Sequence, residues 1–155
     1  MPDDLYHRDF VAWSQAQADR LRRLAAGERV NDLDWANLIE EVEDLGRSQV
    51  QAVESLLVQA LIHAMKIAAW PEHPARGHWR GELIAFLNNA RRRYTPSMAR
   101  VLHIEEIYAD ALEAARGTSL EQPPRPLRDT STLTIGDLLS RTLSPEDLAA
   151  RVRAD

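Results

Sequence analysis

The chain contains no cysteine. That excludes a disulfide scaffold, Cys-ligated zinc, iron–sulfur clusters and thiol catalysis. Lysine is nearly as scarce, with Lys66 the only one in 155 residues, so any lysine-based mechanism has one candidate. Only 6 glycines occur, and none builds a phosphate-cradling loop or a dinucleotide fingerprint. H-E-x-x-H and nucleophile-elbow patterns are missing as well. No stretch of four or more residues alternates convincingly with period two, which argues against strands. Residues 53–70 form the longest apolar-rich run, interrupted by Glu54, Gln59, His63 and Lys66, so no membrane-spanning segment is expected. Met1-Pro2-Asp3-Asp4 has neither the basic nor the apolar region of a signal peptide. A cytoplasmic protein is the expectation.

What is present is a chain of ordinary single-domain length, 45% hydrophobic and 28% charged, the balance of a globular protein. The net charge of −5 gives no global attraction to nucleic acid. Apolar residues recur with helical spacing almost throughout. A first helix is predicted over residues 4–26, with Tyr6, Phe10, Trp13, Gln17, Leu21 and Leu24 on one face and Gly27 as terminator. Asp9 and Arg20 flank that stripe, and they and Gln17 read as structural partners. Asp34 is the expected N-cap of a second, spine helix, with Leu33 and Leu38 as its hydrophobic staple. The spine stripe includes Trp35, Leu38, Ile39, Val42, Leu45, Gln49, Val53, Leu56, Leu57, Ala60, Ala64 and Ile67. Gly46 is a point where this helix could kink, and Pro71 and Pro74 end it.

A third helix is expected over residues 77–94, on Trp79, Leu83, Phe86, Leu87, Ala90 and Tyr94. A fourth starts at Thr95-Pro96-Ser97 and ends before Gly117, presenting Met98, Val101, Leu102, Glu105, Tyr108, Ala109 and Leu112. A proline-rich loop at 118–133 follows, extended and on the surface. Thr134 with Asp137, and Ser144-Pro145 with Asp147, mark two short closing helices. The expected fold is all-α. One domain over 1–155 holds an up-down antiparallel four-helix core (1–117), the loop (118–133) and a short C-terminal helical appendage (134–155).

Several segments together resemble a known family. They are Leu5-Tyr6-His7-Arg8-Asp9-Phe10-Val11-Ala12-Trp13, the stretch from Leu33-Asp34-Trp35 through Glu40-Glu41-Val42-Glu43-Asp44-Leu45-Gly46-Arg47-Ser48, Leu61-Ile62-His63-Ala64-Met65-Lys66, Trp79-Arg80 and Pro96-Ser97-Met98. This pattern resembles the DUF29 family of bacterial proteins, over about residues 5–139. Met98 stands where the family prefers Leu, and Met65 where Leu often precedes the Lys. The resemblance implies an all-helical fold and no activity, because the family is one of unknown function.

Three places could carry chemistry. The acidic run Glu40, Glu41, Glu43 and Asp44 reads either as a solvated face near a helix start or as paired carboxylates for Mg²⁺ or Mn²⁺. His63 and Glu105 fall within the stripes of their helices, at heights differing by about one turn in an antiparallel pair. They read as a metal half-site or acid–base couple, or as a satisfied core histidine. Arg91, Arg92 and Arg93 make the third helix basic, as surface ion pairs or as a weak phosphate- or RNA-binding region. Trp13, Trp35, Trp70 and Trp79 read as core anchors. The balance favours a protein-interaction or structural module, binding a protein partner or itself, with no cofactor. The alternative is a metal-dependent hydrolase or nuclease-like bundle using His63 with Glu105 and Glu43.

Overall fold

The computed structural model describes residues 4–155. Met1, Pro2 and Asp3, on which much of the signal-peptide expectation rests, lie outside the described residues. Among the described residues the regular structure is helical: α1 (Leu5–Arg8), α2 (Phe10–Ala25), α3 (Trp35–Ala69), α4 (Arg76–Arg93), a 3-10 turn (Pro96–Arg100), α5 (Ile104–Arg116), α6 (Ile135–Leu139) and α7 (Pro145–Val152). The all-α expectation holds. The chain divides into two compact units, 1–47 and 48–155, and α3 supplies residues to both.

The first unit departs from the expected single helix over 4–26. Asp9 leaves the helical region (φ −149°, ψ 82°) and its carboxylate accepts from the Ala12 N–H at 3.0 Å. A short acidic side chain that bonds nearby backbone competes with the helix and restarts it as an N-cap. Gly27 ends α2 as expected, in the left-handed region at φ 87°. Inside the unit, Trp13 and Gln17 are buried against the chain that begins α3.

The second unit holds the main core. Val53, Leu57, Leu61 and Met65 of α3 pack with Leu83 and Leu87 of α4, Ile107 and Tyr108 of α5, Leu138 of α6 and Leu148 and Val152 of α7. Gly46 does not interrupt α3. Both closing helices start with capping boxes, Thr134 with Asp137 and Ser144 with Asp147, as the sequence indicates. Their acids are held below the usual carboxylate range, chiefly by the backbone N–H groups they accept from. The proline-rich segment runs on the surface, and it is tied down. Trp70 Nε1 donates to the Gln122 carbonyl at 2.8 Å, Arg125 N–H to Ala69 O at 2.8 Å and Tyr108 Oη to Arg128 O at 2.8 Å. An antiparallel bridge joins Leu127 to Arg153.

The fourth helix is the clearest correction. Residues 96–100 are 3-10, Val101–His103 are not α-helical, and α5 starts only at Ile104. A 3-10 turn has three residues per turn, so counting 3.6 from Thr95 loses phase. Val101, Glu105 and Ala109 therefore lie exposed, and Ile107, Ala111 and Ala115 take the buried face.

By length and mean hydropathy alone, α3 would pass as a membrane span, with an 18-residue window averaging 1.4. The interruptions seen in the sequence do not remove that signal. Half of the window is buried within the protein, as in a core helix.

Candidate interaction surface

The sequence candidates for metal or acid–base chemistry each have their own local setting. His63 is half-buried, its Nδ1 bonds the Gln59 carbonyl oxygen at 2.8 Å, and its ring packs 5.3 Å from Phe86. Glu105 is exposed on α5, and Glu43 is exposed and 3.7 Å from Arg47. Among the described residues no group of three or more His, Asp or Glu side chains could hold a metal ion.

The rest of the acidic run is used locally. Glu41 accepts the Tyr6 hydroxyl at 2.5 Å, Asp44 pairs with Arg47, and Glu40 is exposed. Donation to Glu41 pushes the Tyr6 hydroxyl up to about 12, with burial and the charges of Glu41, Glu40 and Asp44 adding to it. On α4, Arg91 is half-buried and donates to the carbonyls of Leu139 and Ser140, both at 2.9 Å. It thus satisfies helix-end carbonyls at the close of α6 and is not part of a surface ion pair. Burial, and then the Arg141 charge, pull its guanidinium below the usual arginine range. Arg92 and Arg93 are exposed, while Arg80 pairs with Glu146 at 2.7 Å.

A different feature stands out, and it lies in the first unit. The start of α3 is fixed by a small polar latch. Asp34 accepts from Trp13 Nε1 at 3.0 Å and from Asn37 Nδ2 at 2.7 Å, and its own N–H donates to Gln17 Oε1 at 2.9 Å. Gln17, Trp13 and Arg20 also line a cleft of about 430 Å³ with Leu33 and Asp34, and Arg20 pairs with Asp32 at 2.8 Å. Gln17 and Arg20 are therefore the structural partners the sequence suggests. Tyr6, Phe10 and Trp13 stack edge-on or tilted at 4.8–5.7 Å. These contacts align a helical hairpin made of α1, α2 and the first turns of α3.

That hairpin leaves much apolar surface bare. Among the described residues nine large hydrophobic side chains are exposed, and eight of them belong to it: Phe10, Val11, Leu21, Leu24, Trp35, Ile39, Val42 and Leu45. The ninth is Val101. Trp35 is the one tryptophan that departs from the core expectation; Trp13, Trp70 and Trp79 are buried.

The contrast within α3 is sharper still. Trp35, Ile39 and Val42 stand five helical turns before Val53, Leu57 and Ala60, on the same face. The first three are 56%, 57% and 68% exposed, and the second three 0%, 0% and 1%. One apolar stripe runs along the helix, and its own chain covers only the second part. Helical periodicity marks the whole stripe as one apolar face, and the reading of Trp35 as a core anchor fails at its uncovered end.

An all-α protein with a closed second core and an open helical hairpin is the class the geometry defines. The chain belongs to the DUF29 family, described as a domain of unknown function, whose model matches residues 5–143. It is also similar to an alpha-helical protein of unknown function from Rhodospirillum rubrum, known from a crystal structure at 1.45 Å resolution. The two share 30% identity with a TM-score of 0.73, over 96% of this chain and 98% of that one. No protein with a curated description matches the chain.

Proposed function

We propose that the protein is a protein-interaction module and that the N-terminal hairpin is its binding element. The observation that carries this is the stripe of α3, which is apolar and bare at Trp35, Ile39 and Val42 and fully covered five turns later. Exposed apolar surface concentrated on one element is the mark of an interaction site, since isolated proteins scatter such residues singly. Trp35, more than half exposed in that stripe, is the kind of side chain that dominates binding energy when desolvated.

The test is recovery of the tagged protein from its source cells, wild type beside the double variant Val42→Glu, Leu45→Glu. A protein retained in stoichiometric amount, further copies of the chain included, should be lost with the double variant. It should stay with Val101→Glu, which alters the exposed apolar residue outside the hairpin. Recovery of the wild-type chain alone, at single-chain mass, would overturn the reading.

A further inference from the structure

We propose that the occupant of this face is a second copy of the chain, and that two hairpins pack antiparallel about a two-fold axis into a four-helix bundle. The proposal rests on the interaction reading and names its partner.

The first argument is architectural. Two helices present one apolar face and cannot enclose it, whereas two such hairpins related by a two-fold axis close a four-helix core. A two-fold interface is self-complementary by necessity. The hairpin meets that condition, because both of its helices carry exposed apolar residues, Leu21 and Leu24 on α2 and Val42 and Leu45 on α3.

The second argument is register. Trp13 bonds Asp34 and Tyr6 bonds Glu41, so the two helices run in opposite directions with Trp35 level with about Ala12. At 1.5 Å per residue, Leu21 and Leu24 then lie about 13 and 18 Å to one side of Trp35. Val42 and Leu45 lie about 10 and 15 Å to the other side. A two-fold axis across the hairpin near Trp35 therefore lays Leu21 and Leu24 of one copy over Val42 and Leu45 of the other.

Charge disfavours the alternative arrangement. Residues 35–47 carry four acids and one arginine, whereas the second half of α2 carries Arg20, Arg22 and Arg23 against Asp19. Setting α3 against α3 would line up acidic flanks. The antiparallel pairing avoids that, setting Glu40 of one copy beside the end of α2 in the other, where Arg20, Arg22 and Arg23 are already paired with Asp32, Asp19 and Glu28.

Area is sufficient as well. Eight side chains, each about half exposed, amount to roughly 800 Å² per copy, the share of one partner in a standard stable interface.

The purified full chain tests this, and its lack of cysteine helps. At tens-of-micromolar concentration the expected mass by light scattering is twice the 17.6 kDa of one chain. Val42→Glu with Leu45→Glu is expected to halve it, and Val101→Glu to leave it unchanged. Single-cysteine chains Leu24→Cys and Leu45→Cys, mixed and oxidised, should cross-link to each other in preference to themselves. Preferential Leu45→Cys self-linkage would overturn the antiparallel packing. Single-chain mass for the purified wild type would overturn the second-copy proposal. If that monomer nonetheless retains a different protein from source cells through Val42 and Leu45, the interaction reading stands. If it retains none, both fall.

Discussion

Replacing Asp34 by alanine is expected to loosen the N-terminal hairpin without unfolding the main core. Asp34 precedes the first residue of α3 and accepts from the buried Trp13 indole at 3.0 Å and the Asn37 amide at 2.7 Å. Losing a helix-start carboxylate costs about 1 kcal/mol. Stranding the indole N–H costs about 1–2 kcal/mol more, since Trp13 has little access to water. The sum, about 2–3 kcal/mol, corresponds to roughly 30- to 150-fold faster opening at 1.4 kcal/mol per decade. Hydrogen exchange read by mass spectrometry should show that acceleration in peptides from residues 10–47, with those from 53–69 little changed.

Asp34→Asn keeps an accepting oxygen and should cost under about 1 kcal/mol. Acid adds a second readout. The Asn37 side-chain amide, then the Trp13 indole, hold the Asp34 carboxyl below its ordinary value against the opposing effect of burial. A carboxyl with a depressed folded pKa adds stability above its unfolded value, 3.8 here, and loses it as pH falls through the folded one. Protection of the hairpin should therefore decline below pH 3.8 in the wild type and lose that component in Asp34→Asn. Equal exchange in Asp34→Ala and wild type, or acceleration spread evenly over both units, would refute the latch.

Tyr108→Phe should lower stability by about 1–2 kcal/mol in urea unfolding, because the Arg128 carbonyl loses its buried hydroxyl donor. Arg91→Lys should cost about 1 kcal/mol, since a single ammonium cannot reach the Leu139 and Ser140 carbonyls with the guanidinium's forked geometry. Ser144→Ala should weaken α7 by about 1 kcal/mol through its lost cap, seen as faster exchange in residues 145–152. The Tyr6 hydroxyl, raised to about 12, favours its neutral form in the folded hairpin. Its contribution should be full below pH 10 and fade as pH rises through 12. Tyr6→Phe should remove the corresponding ultraviolet titration step.

Local signals were readable where backbone geometry and hydrogen bonding decide the outcome alone. Gly27 at positive φ and the boxes at Thr134 and Ser144 are cases of this kind. Asp9 carried the same kind of signal, but helical spacing from Tyr6 to Trp13 continues across it and masks the break. The phase error at 101–109 arose from assuming one period where the chain uses two. That error placed Glu105 on the inner face of its helix, whereas the carboxylate is exposed. The surface at Trp35, Ile39 and Val42 was hidden for another reason. Periodicity reports which face of a helix is apolar, and coverage of that face depends on distant chain. The Tyr6–Glu41 and Trp13–Asp34 contacts join residues 35 and 21 positions apart, with no pattern linking their types.

The packing of Val152 has a consequence for synthesis. Val152 is fully buried, and the backbone of 126–128 pairs with that of 152–154. The second unit thus cannot complete its core until residues 152–154 have been synthesised and have cleared the ribosome. The hairpin, which lies within the unit of residues 1–47, emerges long before. During translation it is the element available first, while Val53 and Leu57 await their covering helices. A nascent chain therefore displays one unbroken apolar stripe on α3. On polysomes, neighbouring chains carry the same stripe, so early pairing of hairpins would also shield the residues most exposed to aggregation.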